Sequence, residues 1–139
     1  MLFENRLRGC DRQGCGHYGA HRGDRHHRGL DIECLKFQKV LSPMAGNVTK
    51  IGFPYKDSDR EKRHYKYIEI EVNNALKFRI FYISPFVVYE QSILKGQFIG
   101  EQQELGTRYA GIKEHIHLEV MWKGKRVDPL RFFNEYCLT

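Results

Sequence analysis

The chain predicts a mainly β protein, with an antiparallel sheet core, long loops and at most a short C-terminal helix. Two observations carry this. Short runs of alternating polar and apolar residues recur from Leu30 onward, and glycine-bearing turns separate them. The length of 139 residues suits one domain with a modest core.

Taken in order, residues 1 to 30 are rich in Gly, Arg and His and poor in periodic hydrophobics, so they read as loop. Val40 to Ile51 reads as two short strands around a turn. Pro54 to Arg63 is a polar, charged loop. Tyr65 to Val72 alternates well, Asn73-Asn74 makes a turn, and Leu76 to Ile83 returns as the second arm of a hairpin. Ile93 to Ile99 holds a Lys95-Gly96 turn. Tyr109 to Glu114 is loop, and His115 to Trp122 is a strand. Asp128 to Glu135 has room for one or two helical turns.

Hydrophobic residues make up 41% of the chain and charged residues 29%, an ordinary globular balance. No apolar run approaches the ~20 residues that span a bilayer as a helix. Met1 to Glu4 turns polar too soon for a signal peptide, so a secreted form of this sequence would be a mature form or a fragment. The net charge of +6 favours anionic partners, such as an acidic receptor surface or a glycosaminoglycan. No aromatic-basic nucleic-acid motif stands out, which argues against nucleic acid. The densest basic stretch, Arg22 to Arg28, reads as a solvated loop. Within it Arg22-Gly23-Asp24 spells an integrin-binding tripeptide, a match short enough to arise by chance.

The candidate chemistry lies in two separated motifs: His27-Arg28-Gly29-Leu30-Asp31 and His115-Ile116-His117. Zinc takes imidazole nitrogens and carboxylate oxygens, and functional sites often use three protein ligands with a fourth position open. On a strand, residues i and i+2 share a face, so His115 and His117 would aim at one site. His17, His21, His26 and His64 read as surface or satisfied histidines, with His26 pointed away from its neighbour. Phe81, Phe86, Phe132 and Phe133 read as packing. Cys10 and Cys15 have a short spacing that a tight loop can bridge if their Cα atoms come within ~7 Å. A four-cysteine zinc site with Cys34 and Cys137 is disfavoured by the lack of any Cys-x-x-Cys pair.

These motifs, with Leu118-Glu119-Val120 and Lys123 to Leu130, resemble the lysostaphin-type zinc endopeptidases, which cut cross-links in bacterial cell walls. Cys10 to Tyr18 and Phe81-Tyr82-Ile83 are similar to a secreted vertebrate branch of that fold, the chemotaxin-2 family. The resemblance covers nearly the whole chain. It implies one lysostaphin-type domain over 1–139, with 1–26 a disulfide-bearing N-terminal arm. It implies zinc bound by His27, Asp31 and His117, with His115 assisting catalysis if the chain is active. By the same resemblance Ile83 falls where the peptidases carry a second histidine, with Tyr82 on the opposite face. It supports a Cys10–Cys15 bridge and leaves Cys34 free or paired with Cys137. Lys77 and Met121 stand where the relatives carry another bridge. The implied function is an extracellular, secreted, monomeric signalling protein without peptidase activity, whose partner is a cell-surface receptor or glycosaminoglycan. An active endopeptidase is the alternative.

Overall fold

The computed structural model describes residues 8–22 and 25–133. Gly23, Asp24 and Cys137 therefore lie outside the described residues, as do Asn134 and Glu135 of the expected C-terminal turn. Two small hairpins open the chain: β1 (Cys10–Asp11) with β2 (Gly14–Cys15), then β3 (His21–Arg22) with β4 (Arg25–His26). They are followed by β5 (Leu30–Glu33), β6 (Lys39–Leu41), β7 (Gly46–Gly52), β8 (Tyr67–Glu71) and β9 (Leu76–Phe81). Then come β10 (Ile83–Pro85), β11 (Ser92–Ile93), β12 (Phe98–Gln102), β13 (His115–Trp122) and β14 (Lys125–Val127). Pro129–Arg131 forms a single 3-10 turn, capped by the Asp128 carboxylate, which accepts from the Leu130 amide at 3.1 Å.

All sheet pairings are antiparallel, as the alternating runs predict. The main sheet runs β11-β7-β8-β9-β13-β14, and β5 shares the outer edge of β13 with β14. A smaller sheet runs β10-β12-β6. The hairpin between β8 and β9 forms because the Asn73 side chain accepts from the amides of Ala75 and Leu76, closing the turn. The core takes in Leu30 and Ile32 of β5, Ile68 and Ile70 of β8, Phe78 and Ile80 of β9, and Ile116, Leu118 and Val120 of β13. The smaller sheet adds Val40, Ile83 and Ile99.

The two strands expected within 40–51 form as β6 and β7, and they belong to different sheets. Two other sequence expectations change. Phe86 was expected to pack but is 59% exposed, meeting Phe98 edge-on at the surface. Phe133 does pack, edge-on against buried Phe78. The run 76–83 is not one strand: Tyr82 has a φ of +66° and divides β9 from β10. That left-handed residue hands the chain from the main sheet to the smaller one. Ile83 then enters the core fully buried. We expect Ile83→Ala to cost about 3 kcal/mol of stability, in the usual range for a buried isoleucine truncation, as read by denaturant unfolding. A loss within experimental error would remove Ile83 from the core.

Candidate metal centre

The register of β13 builds the site. His117 sits opposite Asp31 of β5 on one edge and opposite Phe81 of β9 on the other. His27 comes in from the loop just before β5. Its Nε2 lies 3.0 Å from His117 Nδ1 and 3.4 Å from Asp31 Oδ1. His117 Nδ1 is 2.8 Å from Asp31 Oδ1. Donors at tetrahedral zinc distances stand roughly 3.3–3.5 Å apart. The three expected ligands thus converge as a group that could hold a metal ion, with a slight contraction.

Surrounding groups settle which nitrogen each ring presents. His27 donates its Nδ1 hydrogen to the His17 carbonyl at 3.0 Å, leaving Nε2 for the centre. His117 turns Nε2 toward Glu119 at 2.9 Å, and Arg126 holds the other Glu119 oxygen at 3.0 Å. Such outer partners orient ligating histidines in metal sites generally. Burial pushes the His117 pKa down, but Asp31 and Glu119 outweigh it and raise the pKa to about 9. Without metal, a proton on Nδ1 occupies the position a cation would take. Asp31 is penalised by burial, yet His117 and His27 hold it well below the usual carboxylate range.

Gly29 explains the glycine between His27 and Asp31. A Cβ there would meet the Leu118 carbonyl at 2.5 Å and the His117 ring at 2.6 Å. Gly29→Ala is expected to displace that ring and lower metal affinity at least ~10-fold, the usual scale for a disturbed ligand orientation. Competition with a chromophoric chelator measures this; unchanged affinity would show that the ring position does not matter.

His115 shares the inward face with His117 and Glu119. Its Nδ1 donates to the Lys113 carbonyl at 2.7 Å, and its Nε2 lies 3.4 Å from Asp31 Oδ2. Burial, against the pull of Asp31, lowers its pKa. A neutral ring so oriented can accept a proton at the centre.

The expected roles of Ile83 and Tyr82 are reversed. Ile83 is buried in the core and does not face the groove, because positive φ at Tyr82 breaks the strand's alternation. Tyr82 is the groove residue, its ring edge-on to His115 at 5.7 Å between centroids. Its hydroxyl shares a hydrogen bond with Tyr55 at 3.1 Å, and Tyr55 shares one with Tyr109 at 2.6 Å. Burial first, then Tyr55, raises the Tyr82 pKa well above that of a free phenol. Lys62 lies over the rings of Tyr55 and Tyr109. Tyr55, Tyr82 and Tyr109 wall a groove of about 400 Å³ over the centre. Phe81, expected as packing, lines the groove edge-on to His117 at 5.1 Å.

His26 is exposed, its ring tilted against that of His21 at 4.8 Å between centroids, and it lines the groove without joining the three-ligand group. His64 lies against Tyr65. Arg8, Tyr55 and Tyr109 carried no motif in the sequence, and Arg126 lay within the Lys123 to Leu130 run with no role assigned to it. Glu119 did carry a signal, since it continues the period-two series of His115 and His117.

Cys10 and Cys15 form a disulfide. Cys34 is a free thiol, pushed up to about 12 by burial and by Glu114 and Glu33. Lys77 and Met121 are direct cross-strand partners, where a bridge would span β9 and β13. No helix among the described residues is long and apolar enough to cross a membrane.

Peptidase family M23 matches residues 25–129. Leukocyte cell-derived chemotaxin-2 of Mus musculus is 33% identical over 122 residues, covering 83% of this chain and 73% of its own length. Lysostaphin of Staphylococcus simulans shares the fold with a TM-score of 0.68 at 19% identity, over 94% of this chain and 50% of its own. The catalytic domain of a mutant of the prophage-encoded M23 protein EnpA from Enterococcus faecalis gives 0.63 at 17% identity, over 84% and 87%.

Proposed function

The chain belongs to peptidase family M23, and from that membership we propose that it is an extracellular, zinc-binding signalling protein of the chemotaxin-2 kind that does not cut peptides. The single observation that carries the reading is Tyr82. It occupies the groove beside His115, with its hydroxyl engaged by Tyr55.

Zinc, bound by His27, Asp31 and His117, would supply a Lewis acid and a water acidified toward pKa ~7. His115 is placed to take a proton. A phenol held neutral donates a hydrogen bond but accepts no proton near neutral pH, so no second proton carrier faces the centre from position 82. The Cys10–Cys15 disulfide fits an oxidising compartment. The net charge of +6 fits a cell-surface receptor protein or a glycosaminoglycan as partner of a monomer.

The neutral, inward His115 favours a second reading, an active endopeptidase cutting glycine-rich or cell-wall peptides. Incubating zinc-loaded protein with pentaglycine and with cross-linked peptidoglycan separates the two, alongside a leukocyte migration assay. Migration without hydrolysis supports the signalling reading. Zinc-dependent hydrolysis overturns it.

A further inference from the structure

The side chain of Arg8 is 2% exposed and no ligand role engages it. Its guanidinium donates Nη1 to Asp31 Oδ2 at 2.6 Å. Nε and Nη2 reach both oxygens of Asp11, at 3.0 and 2.8 Å, and Nη2 also reaches the Gly14 carbonyl at 3.2 Å. Asp11 is fixed in turn by the amides of Gln13 and Lys113, each at 2.8 Å. The backbone is clamped as well: the Arg8 amide donates to the Asp31 carbonyl, and the Asp31 amide to that of Gly16. A Cβ at Gly16 would strike Arg8 and Asp31, so this seam closes only over glycine.

Asp31 therefore has two unlike oxygens. Oδ1 faces His27 and His117. Oδ2 is taken by Arg8, with His115 Nε2 at 3.4 Å and Arg22 Nη2 at 4.0 Å. We propose that Arg8, just ahead of the disulfide-closed hairpin of β1 and β2 and bonded to its Asp11 and Gly14, is a positioning residue that confines Asp31 to one-oxygen ligation and so holds the centre to low coordination number. The proposal rests on the reading of His27, Asp31 and His117 as metal ligands. The physical reason is that a carboxylate offers both oxygens to a cation unless one is engaged elsewhere. A bidentate carboxylate raises coordination number and suits larger ions than zinc.

Cobalt(II) substitution reads this directly, because its visible d–d bands are intense in tetrahedral sites and weaken as coordination number rises. The full protein is loaded with Co²⁺, and Arg8→Met, Arg8→Lys and Asp11→Asn are compared with it. We expect intense bands in the unmodified protein and several-fold weaker bands in Arg8→Met. Arg8→Lys, which can still donate to Oδ2, should recover most of the intensity. Asp11→Asn leaves the guanidinium in place but loosens its mount, and should fall between. It also serves as the test if Arg8→Met does not fold, which circular dichroism reveals. Arg8→Met should also bind Cd²⁺ at least ~10-fold better relative to Zn²⁺ than the unmodified protein, on the scale of outer-partner effects. Folded variants with spectra identical to the unmodified protein would overturn the proposal while leaving the ligand assignment intact. An unmodified protein that takes up no Co²⁺ or Zn²⁺ would overturn the ligand reading, and this proposal with it.

Discussion

His117→Ala is expected to reduce bound zinc from one ion per chain to none detectable after dialysis. His117 is the donor that both Asp31 and His27 face, and its removal leaves a histidine and a carboxylate that no longer enclose a cation. Metal analysis checks it, and full retention of zinc would refute the ligand set. Chelation should lower the melting temperature of the unmodified protein by several degrees. Metal that binds only the folded state contributes about 2.7 kcal/mol when free zinc exceeds Kd 100-fold. An identical melting curve after complete removal would mean that the metal does not stabilise the fold.

The two forms should also differ in pH dependence. In the metal-free protein the folded pKa of His117 is raised to about 9, above its ordinary value. Its ion pairs with Asp31 and Glu119 are therefore fully stabilising below roughly 6.5, the unfolded value, and that contribution is lost as pH rises through 9. Metal must displace the Nδ1 proton, so apparent zinc affinity should rise about tenfold per pH unit across the same window. A flat affinity profile between 6.5 and 9 would contradict the raised pKa.

Tyr82→His is the second large effect. The unmodified protein should show no zinc-dependent cleavage of glycine-rich peptides, and the variant should gain weak turnover, of the order of 10²-fold over background if a proton carrier is the missing part. Histidine tolerates positive φ better than most residues, so the strand break at position 82 can persist. The variant would retain metal, since Tyr82 is not among the three ligands. Metal-loaded Tyr82→His with no turnover would place the obstruction in the wall of Tyr55 and Tyr109 instead. Ile83→His is not an equivalent experiment, because it would bury an imidazole in the core.

What could be read from the sequence followed its periodicity. A period of two along β13 puts His115 and His117 on one face, and the strand has the predicted bounds. The antiparallel hairpin of β8 and β9 followed from alternation and the Asn73-Asn74 turn. The errors arose where one residue departs from its local pattern. Positive φ at Tyr82 reverses which of two neighbours faces the site, and no composition signal marks a tyrosine for that conformation. The two strands within 40–51 were legible, but their placement in different sheets was not, because a turn's sequence does not say whether its strands pair. Arg8 was invisible because its function depends on Asp31, 23 positions away, and on a register only the fold supplies.

The pairing of His117 with Asp31 and His27 joins positions 86 and 90 residues apart. Closing loops of that size is an entropic burden that local hairpins do not carry. The candidate ligands therefore meet only after β5 and β13 have found each other. An ion captured there would act as a latch on finished topology, with no site to occupy until β5 has docked on β13.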